Sequence, residues 1–337
     1  MRTLPVVMSL LPRLPSNRAI WAFLFALSLF SGPGTATAAA YPEKPVSIIV
    51  PFAVGTATDS IVRLLAKGLQ AKFGVPFIVE NRPGASGIIG TDRGARSKPD
   101  GYTLLAASGT TMSQNPWFFK KIPYDPTTDF KPIARIGGFP LAIVVRQEAP
   151  WKTMAEFLDA ARTATKSFSY GTAYGMQTVC GELLKKNARL DLISVPYKGT
   201  PQAITDLLGG QVNFMCAEFA TSLNAIRNHQ LRALAILTDK RSHYLPDVPT
   251  MKELGLNFLP EMHSWIGLLA PSGTSTQHIE TVSRAVLEIA AAPEFSAALD
   301  SIGFELSTLN ASDFGKFLKK DHAVWGKQIK QAGIAPQ

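Results

Sequence analysis

The residues that draw attention first are Phe52 to Asp59, in the stretch PFAVGTATD. Gly55 stands between a β-branched run, VSIIVPF (46–52), and a helical pattern, TDSIVRLLAKGLQAKF (58–73). A glycine turn from strand to helix is a place where an anion can sit on free backbone N–H groups. A phosphate loop needs Gly-Lys-Ser/Thr, and a dinucleotide turn needs three spaced glycines; neither is present here. What remains is a helix start with Thr56 or Thr58 as cap and Asp59 in the first turn. Asp59 already supplies negative charge to the helix end, which argues against a phosphate. A singly charged carboxylate held by N–H groups and hydroxyls suits the turn better. Taken alone, the turn would equally be an ordinary capped helix.

Other chemistry finds little support. AASGTTMS (106–113) carries hydroxyls but no GxSxG elbow for a nucleophilic serine. The histidines, at 229, 243, 263, 278 and 322, fall in apparent loops or on helix surfaces, and no CxxC spacing points to zinc. Cys180 and Cys216 could form a bridge or remain two small buried thiols; the reading favours thiols, because sequence does not give the Cα separation that decides it. Trp117, Phe118 and Phe119 read as packing residues rather than a stacking platform.

The elements that must position the turn alternate. FIVENRPG (77–84) is a second strand, GIIGTDRGARSK (87–98) a helix, and TLLAAS (103–108) a third strand after the Pro-Asp-Gly turn. Such βαβαβ runs build parallel sheets. A proline-dotted irregular passage covers 115–136, and LAIVVRQEAP (141–150) is the next strand. A second strand–helix set fills 143–260. SWIGLLAP (264–271) is one more strand, before two helices at 276–292 and 311–333. The expected architecture is α/β with two lobes: 41–142 plus 264–337, and 143–263. Crossing strands near 141–145 and 264–269 join them. Ligands of open α/β sheets sit beyond the carboxyl ends of the strands, which places a site in the cleft between lobes.

The first 40 residues differ in kind. Arg13 and Arg18 precede the apolar AIWAFLFALSLF (19–30), followed by SGPGTATAAA. This is the order of a cleavable secretory signal peptide, with the mature start near Ala39 or Tyr41 and the periplasm as destination. Twelve apolar residues are short of the roughly 20 that span a bilayer. The chain carries +9 overall. Without Arg2, Arg13 and Arg18 the 34 Lys+Arg become 31 against 25 Asp+Glu, a net +6. The charge is dispersed, with no run of basic residues of the kind that binds nucleic acid.

Seven segments occur in a fixed order: YPEKPVSIIVPFAVGTATD, VENRPGASGIIG, PDGYTLL, IPYDPTTDFKPI, VPYKGTPQAITDLLGGQV, LRALAILTDKRSHYLPDVPTMKELGL and SWIGLLAPSGT. Across 41–335 the chain resembles the extracytoplasmic receptors of tripartite tricarboxylate transporters, the Bug family. The resemblance implies a type II periplasmic binding-protein fold that closes, as a monomer, over a small mono- to tricarboxylate. It implies no catalysis, cofactor or metal, and as partners a small and a large membrane transporter subunit, although many members are orphans. It implies a site made of Phe52, Gly55, Thr56, Ala57, Thr58 and Asp59, with Ser108, Thr110 and Thr111 from the same lobe. The second lobe would add Thr172, Tyr174, Gly175, Thr178, Tyr197, Lys198, Gly199, Ala217 and Glu218. Lys198 reads equally as a surface charge. Three departures fall in these loops. Thr56 replaces a second glycine, Thr178 stands where a histidine is common in a loop that reads as shortened, and Ala217 replaces a common aspartate, with Glu218 beside it. A ligand sensor docking on a membrane signalling protein, or a hydrolase on the same fold, are the alternative functions.

Overall fold

The computed structural model describes residues 41–259 and 261–337, so the leader read in residues 1–40 lies outside the described residues. Strand β1 (Val46–Val50) leads into helix α1 (Ala57–Phe73); β2 (Phe77–Asn81), α2 (Ile88–Ala95) and β3 (Thr103–Ser108) follow. Both β2 and β3 pair with β1 in parallel. Helix α1 starts at Thr56, whose hydroxyl accepts from Asp59 N–H, and stops at Gly74 in the left-handed conformation. Its apolar residues Ile61, Leu65 and Leu69 are fully buried against Ile48 and Val50. Burying each such side chain is worth about 1.5–3 kcal/mol.

A π-helical turn (Thr110–Gln114) and the short helix α3 (Asn115–Phe118) lead to β4 (Phe130–Arg146), a strand of 17 residues. The second set comprises α4 (Met154–Thr163), β5 (Phe168–Thr172), α5 (Gly175–Ala188), β6 (Leu192–Pro196), α6 (Thr200–Leu208), β7 (Phe214–Glu218), α7 (Phe219–Arg227) and β8 (Leu231–Ile236). The chain returns through β9 (His263–Pro271), α8 (Thr276–Ala290), α9 (Pro293–Asp300), β10 (Glu305–Leu309) and α10 (Ala311–Ala332). The strand order is β2-β1-β3-β9-β4-β7-β5-β6, with β8 and β10 also paired to β4.

Strand β4 changes partners along its length. From Phe130 to Pro140 it pairs with β9, and Gly137 and Gly138 reach β10. From Leu141 to Arg146 it pairs with β7 and β8. The passage read as irregular up to 136 is therefore strand from Phe130 onward. Its prolines and glycines sit where the ladder is interrupted: the register shifts beside Pro132 and between Arg135 and Gly137. A Cβ at Gly137 would come within 2.1 Å of the Glu305 carbonyl, and one at Gly138 within 2.2 Å of the Ser264 carbonyl, so neighbouring backbone occupies that space.

Helix α10 also touches both strand groups. Phe314 packs edge-on to Trp265 of β9. At the far end Trp325 and Ile329 are buried with Phe157, Tyr170 and Leu183 of the second set, and Lys186 Nζ donates to Gln331 O at 2.9 Å. The helix expected to return to the first lobe thus ends against the second group.

Cys180 of α5 and Cys216 of β7 are bonded to each other, contrary to the reading as free thiols. The fold brings their Cα atoms to 6.4 Å, inside the range a disulfide can bridge. The bond closes a loop with a sequence separation of 36. Replacing both cysteines by alanine should lower stability by about 2–4 kcal/mol. Denaturant titration of the variant and thiol labelling of the native protein check this; a native protein carrying two reactive thiols after unfolding contradicts it.

Candidate functional site

The turn Phe52–Asp59 is held from inside. The Asp59 carboxylate is 2% exposed. It accepts from Gly55 N–H at 2.9 Å and from Asn81 Nδ2 at 2.8 Å, and Arg63 Nε lies 3.0–3.1 Å from its two oxygens. Burial pushes this carboxyl up, but hydrogen bonds from Arg63, Gly55 and Asn81 outweigh it and leave the pKa below the ordinary carboxylate value. Asn81 also donates to Phe52 O at 3.1 Å, closing the turn on β2. The Thr56 hydroxyl donates to Ala53 O at 2.9 Å while capping α1. Its hydrogen-bonding capacity therefore goes into the turn.

The next wall is strained. Gly84, Ala85, Ser86 and Gly87 all have positive φ, at 131°, 47°, 54° and 85°. A left-handed backbone at Ala85 and Ser86 is uncommon for side-chain-bearing residues and persists only where the surroundings impose it. Here Asn115 Nδ2 donates to Ser86 O at 3.0 Å. Beyond β3, the π-helical turn is fixed by Thr111, whose hydroxyl accepts from Ser108 N–H and donates to Ser108 O. Gln114, 1% exposed, leaves its Nε2 without a partner. An unpaired buried amide donor costs about 1–3 kcal/mol; this nitrogen lies beside Gly109 and the Trp265 indole, where a Cβ at Gly109 would come 3.6 Å from it.

These pieces face loops of the second strand group across a cavity of about 290 Å³. Ser86, Thr110 and Gln114 line one side, and Thr172, Tyr174 and Thr178 the other. Helix α5 opens on this cavity at Tyr174, which gives it no side-chain cap, so the helix's positive end is available to an anion. Gln177 Oε1 accepts from Ala173 N–H at 2.6 Å and fixes that turn. Tyr197 also lines the cavity, but its hydroxyl donates to Asp206 Oδ2 at 2.8 Å. Among the described residues no lysine or arginine lines the cavity. Its donors are neutral amides, hydroxyls and a helix end.

Of the residues expected in the site, Thr110, Thr172, Tyr174, Gly175, Thr178 and Tyr197 meet in this cavity. Phe52, Gly55, Thr56, Ala57, Thr58 and Asp59 form the adjoining turn, and Ser108 and Thr111 lie buried under the wall. Thr178 belongs to the first turn of α5 rather than to a loop. Lys198 is exposed, Gly199 precedes α6, and Ala217 is fully buried opposite Ala142 of β4. These three do not line the cavity, and neither does Glu218, which ends β7, half-buried. Burial pushes its carboxyl up to about 7, with the Ser264 hydroxyl acting the other way, and its charge is felt at the Tyr174 phenol. Ser86, Gln114, Asn115, Phe118, Phe119 and the C-terminal Ile334 and Gln337 also line the cavity without having been expected there. The glycine pair around Ala85–Ser86 was a visible signal. The tail was not, because it arrives only through tertiary hydrogen bonds from Gln337 N to Phe118 O and from Lys120 N to Gln337 O.

A larger cavity, about 830 Å³, opens elsewhere and shares no lining residue with this one. The smaller one alone is built from segments that follow parallel strands: β2, β3, β5 and β6. That is where α/β folds bind ligands.

The family that the chain matches and the solved neighbours that share this fold are solute-binding receptors, not enzymes. The chain belongs to the tripartite tricarboxylate transporter receptor family, whose sequence profile matches residues 61–334. It is 33% identical to Protein BugT of Bordetella pertussis over 302 residues, 87% of this chain and 90% of the relative. A solved R. palustris protein with adipate is 29% identical, with a TM-score of 0.79 over 88% of this chain and 100% of its own. MatC from Rhodopseudomonas palustris, solved with bound malate, is 28% identical, with a TM-score of 0.72 over 86% and 100%.

Asp59 generates a stability prediction. Its folded pKa lies below the unfolded value, so its contribution is present at neutral pH and is lost as pH falls through the unfolded value toward the folded one. Asp59→Ala should cost about 1–3 kcal/mol at pH 7, for a buried acceptor of several donors. The difference from wild type should shrink below about pH 4. Denaturant unfolding at both pH values checks this, and a cost that grows on acidification would contradict it.

Proposed function

We propose that the protein is an extracytoplasmic receptor that binds a small carboxylate in the 290 Å³ cleft and delivers it to a tripartite tricarboxylate-type transporter. The observation that carries this reading is the donor set: the hydroxyls of Thr110 and Thr172 and the uncapped end of α5 line one cavity with no cationic side chain among them. Relatives solved with malate and adipate support the same ligand class. Export by the N-terminal leader would put the receptor in the periplasm. The two strand groups act as lobes, 41–142 plus 264–337 and 143–263, that draw together on the ligand because the site takes residues from both. Transporter subunits dock on the loaded form.

Within this reading Glu218 sets the pH response. The carboxyl raised to about 7 is neutral below that pH and ionised above it. The Glu218 charge is felt at Tyr174 of the cleft lining, so an ionised Glu218 repels a carboxylate ligand there; a neutral one does not. Calorimetric titration with a panel of mono-, di- and tricarboxylates that includes malate and adipate identifies the ligand. Its affinity should fall about tenfold from pH 6 to pH 8, as each pKa unit is worth about 1.4 kcal/mol. Glu218→Gln should bind with little pH dependence. An affinity that is constant or rises over this range for the wild type contradicts the role of Glu218; no binding by any carboxylate contradicts the receptor reading.

A further inference from the structure

The 830 Å³ cavity has features that the cleft does not account for. Its floor is Arg135 of β4, only 8% exposed. The guanidinium lies 4.4 Å from the Phe317 ring centre and makes one polar contact, Nη2 to His263 Nε2 at 2.7 Å. Arg135 Nε is buried and has no partner. His263 Nδ1 stands 3.4 Å from Glu261 Oε1. The ring therefore donates to Glu261 and accepts from Arg135, which requires the neutral form. Burial, followed by the Arg135 charge, holds His263 down to about 4, consistent with that tautomer. Nearby charges at Asp321 and Glu261 favour the Arg135 cation from a distance, but burial dominates and lowers it to about 10. A buried guanidinium lacking a direct carboxylate is costly unless something else pairs with it.

The acids around the cavity are largely engaged. Glu305 accepts from Ser242 Oγ, and Asp300 accepts from Tyr244 OH at 2.9 Å. Arg241 is taken by Glu253 at 2.9 Å. Asp239 is exposed, 4.0 Å from Lys252. Lys240 and Lys320 are exposed at the rim, and among the described residues no carboxylate comes within ion-pair distance of Arg135, Lys240 or Lys320.

We propose that this cavity is a second ligand site, built for a small oxyanion whose carboxylate or phosphate group pairs with Arg135 and is flanked by Lys240 and Lys320. Arg135 offers a planar, multi-donor fork whose guanidinium charge has no carboxylate in ion-pair distance among the described residues. The site is chemically unlike the cleft: it is partly buried and lined by four basic side chains, Arg135, Lys240, Arg241 and Lys320, beside four carboxylates, Asp239, Glu261, Asp300 and Glu305, where the cleft offers neutral donors.

Calorimetric titration of the purified protein with inorganic phosphate and, separately, with malonate tests this. One of the two anions should saturate with a dissociation constant of about 1 mM or tighter. Saturation by phosphate alone identifies phosphate as the oxyanion of this site; saturation by malonate identifies it only where the binding is weakened by the rim variant and kept in Gln114→Ala, since malonate kept by the rim variant and lost with Gln114→Ala is bound in the cleft. Arg135→Gln should abolish that binding, and the rim variant Lys240→Gln/Lys320→Gln should weaken it about tenfold. Gln114→Ala, in the cleft, should leave it unchanged. The rim variant alters only exposed side chains, so it tests the site even where Arg135→Gln fails to fold. No saturable binding of either anion overturns the proposal, as does binding that survives the rim variant and is lost with Gln114→Ala.

Discussion

Strand β4 has to serve two sets of partners, and the rest of the molecule is arranged around that constraint. At Pro140 the strand leaves β9 behind, and at Leu141 it takes up β7. Proline cannot donate to a ladder, so it is suited to the point where one ladder ends. Gly137 and Gly138, just before it, let β10 and β9 approach closer than any side chain would allow. Because the parallel strands of both groups point their carboxyl ends toward the same gap, the cleft forms there. The larger cavity forms along β4 itself, between Arg135 and Pro140 and the loop after β8.

The cleft is organised by internal neutralisation. Asp59 binds the turn at α1 from within and spends the N–H of Gly55, so the strand–turn–helix start is a rigid support rather than a bare anion hole. The donors left for a ligand lie further along: the Thr110 hydroxyl in the π-helical turn, and the uncapped start of α5. The strained backbone at Ala85 and Ser86 is kept in place by Asn115, one residue from Gln114. Strain stored beside a binding wall is a known way of pre-organising it. The departures from the family pattern act at different places. Thr56 stabilises a turn, Thr178 sits in the first turn of a helix facing the cavity, and Glu218 brings a titratable carboxyl whose charge is felt at Tyr174.

Much of this was legible in the sequence, for reasons that are local. VSIIV, FIVEN and TLLAAS read as strands because they are short, β-branched or apolar runs between turn residues, and α1 announced itself by its cap and its apolar spacing. The ordered segments identified the family. The first stretch of β4 was hidden because Pro132, Gly137, Gly138 and Pro140 look like loop composition, and their role is set by neighbouring strands distant in sequence. Helix α9 and strand β10 were missed, since residues 293–310, between the two helices read, were assigned no element. In the site, the hydroxyl of Thr56 looked available because its Ala53 acceptor cannot be seen without the turn. Gln114 looked ordinary, since an unpartnered buried amide is a property of the packed fold. The bond between Cys180 and Cys216 likewise depends on α5 lying against β7.

The central claim is that a charged carboxylate, not merely a small polar molecule, is what the neutral donors of the cleft recognise. The most direct measurement is to release the ligand from native protein, identify it by mass spectrometry, and titrate it calorimetrically beside its carboxamide analogue at one pH below 7. Hydrogen bonds to a charged acceptor are worth about 1.5–3 kcal/mol, against about 0.5–1.5 for neutral ones. The acid should therefore bind at least about tenfold more tightly than the amide. Equal affinity for the two would contradict the account.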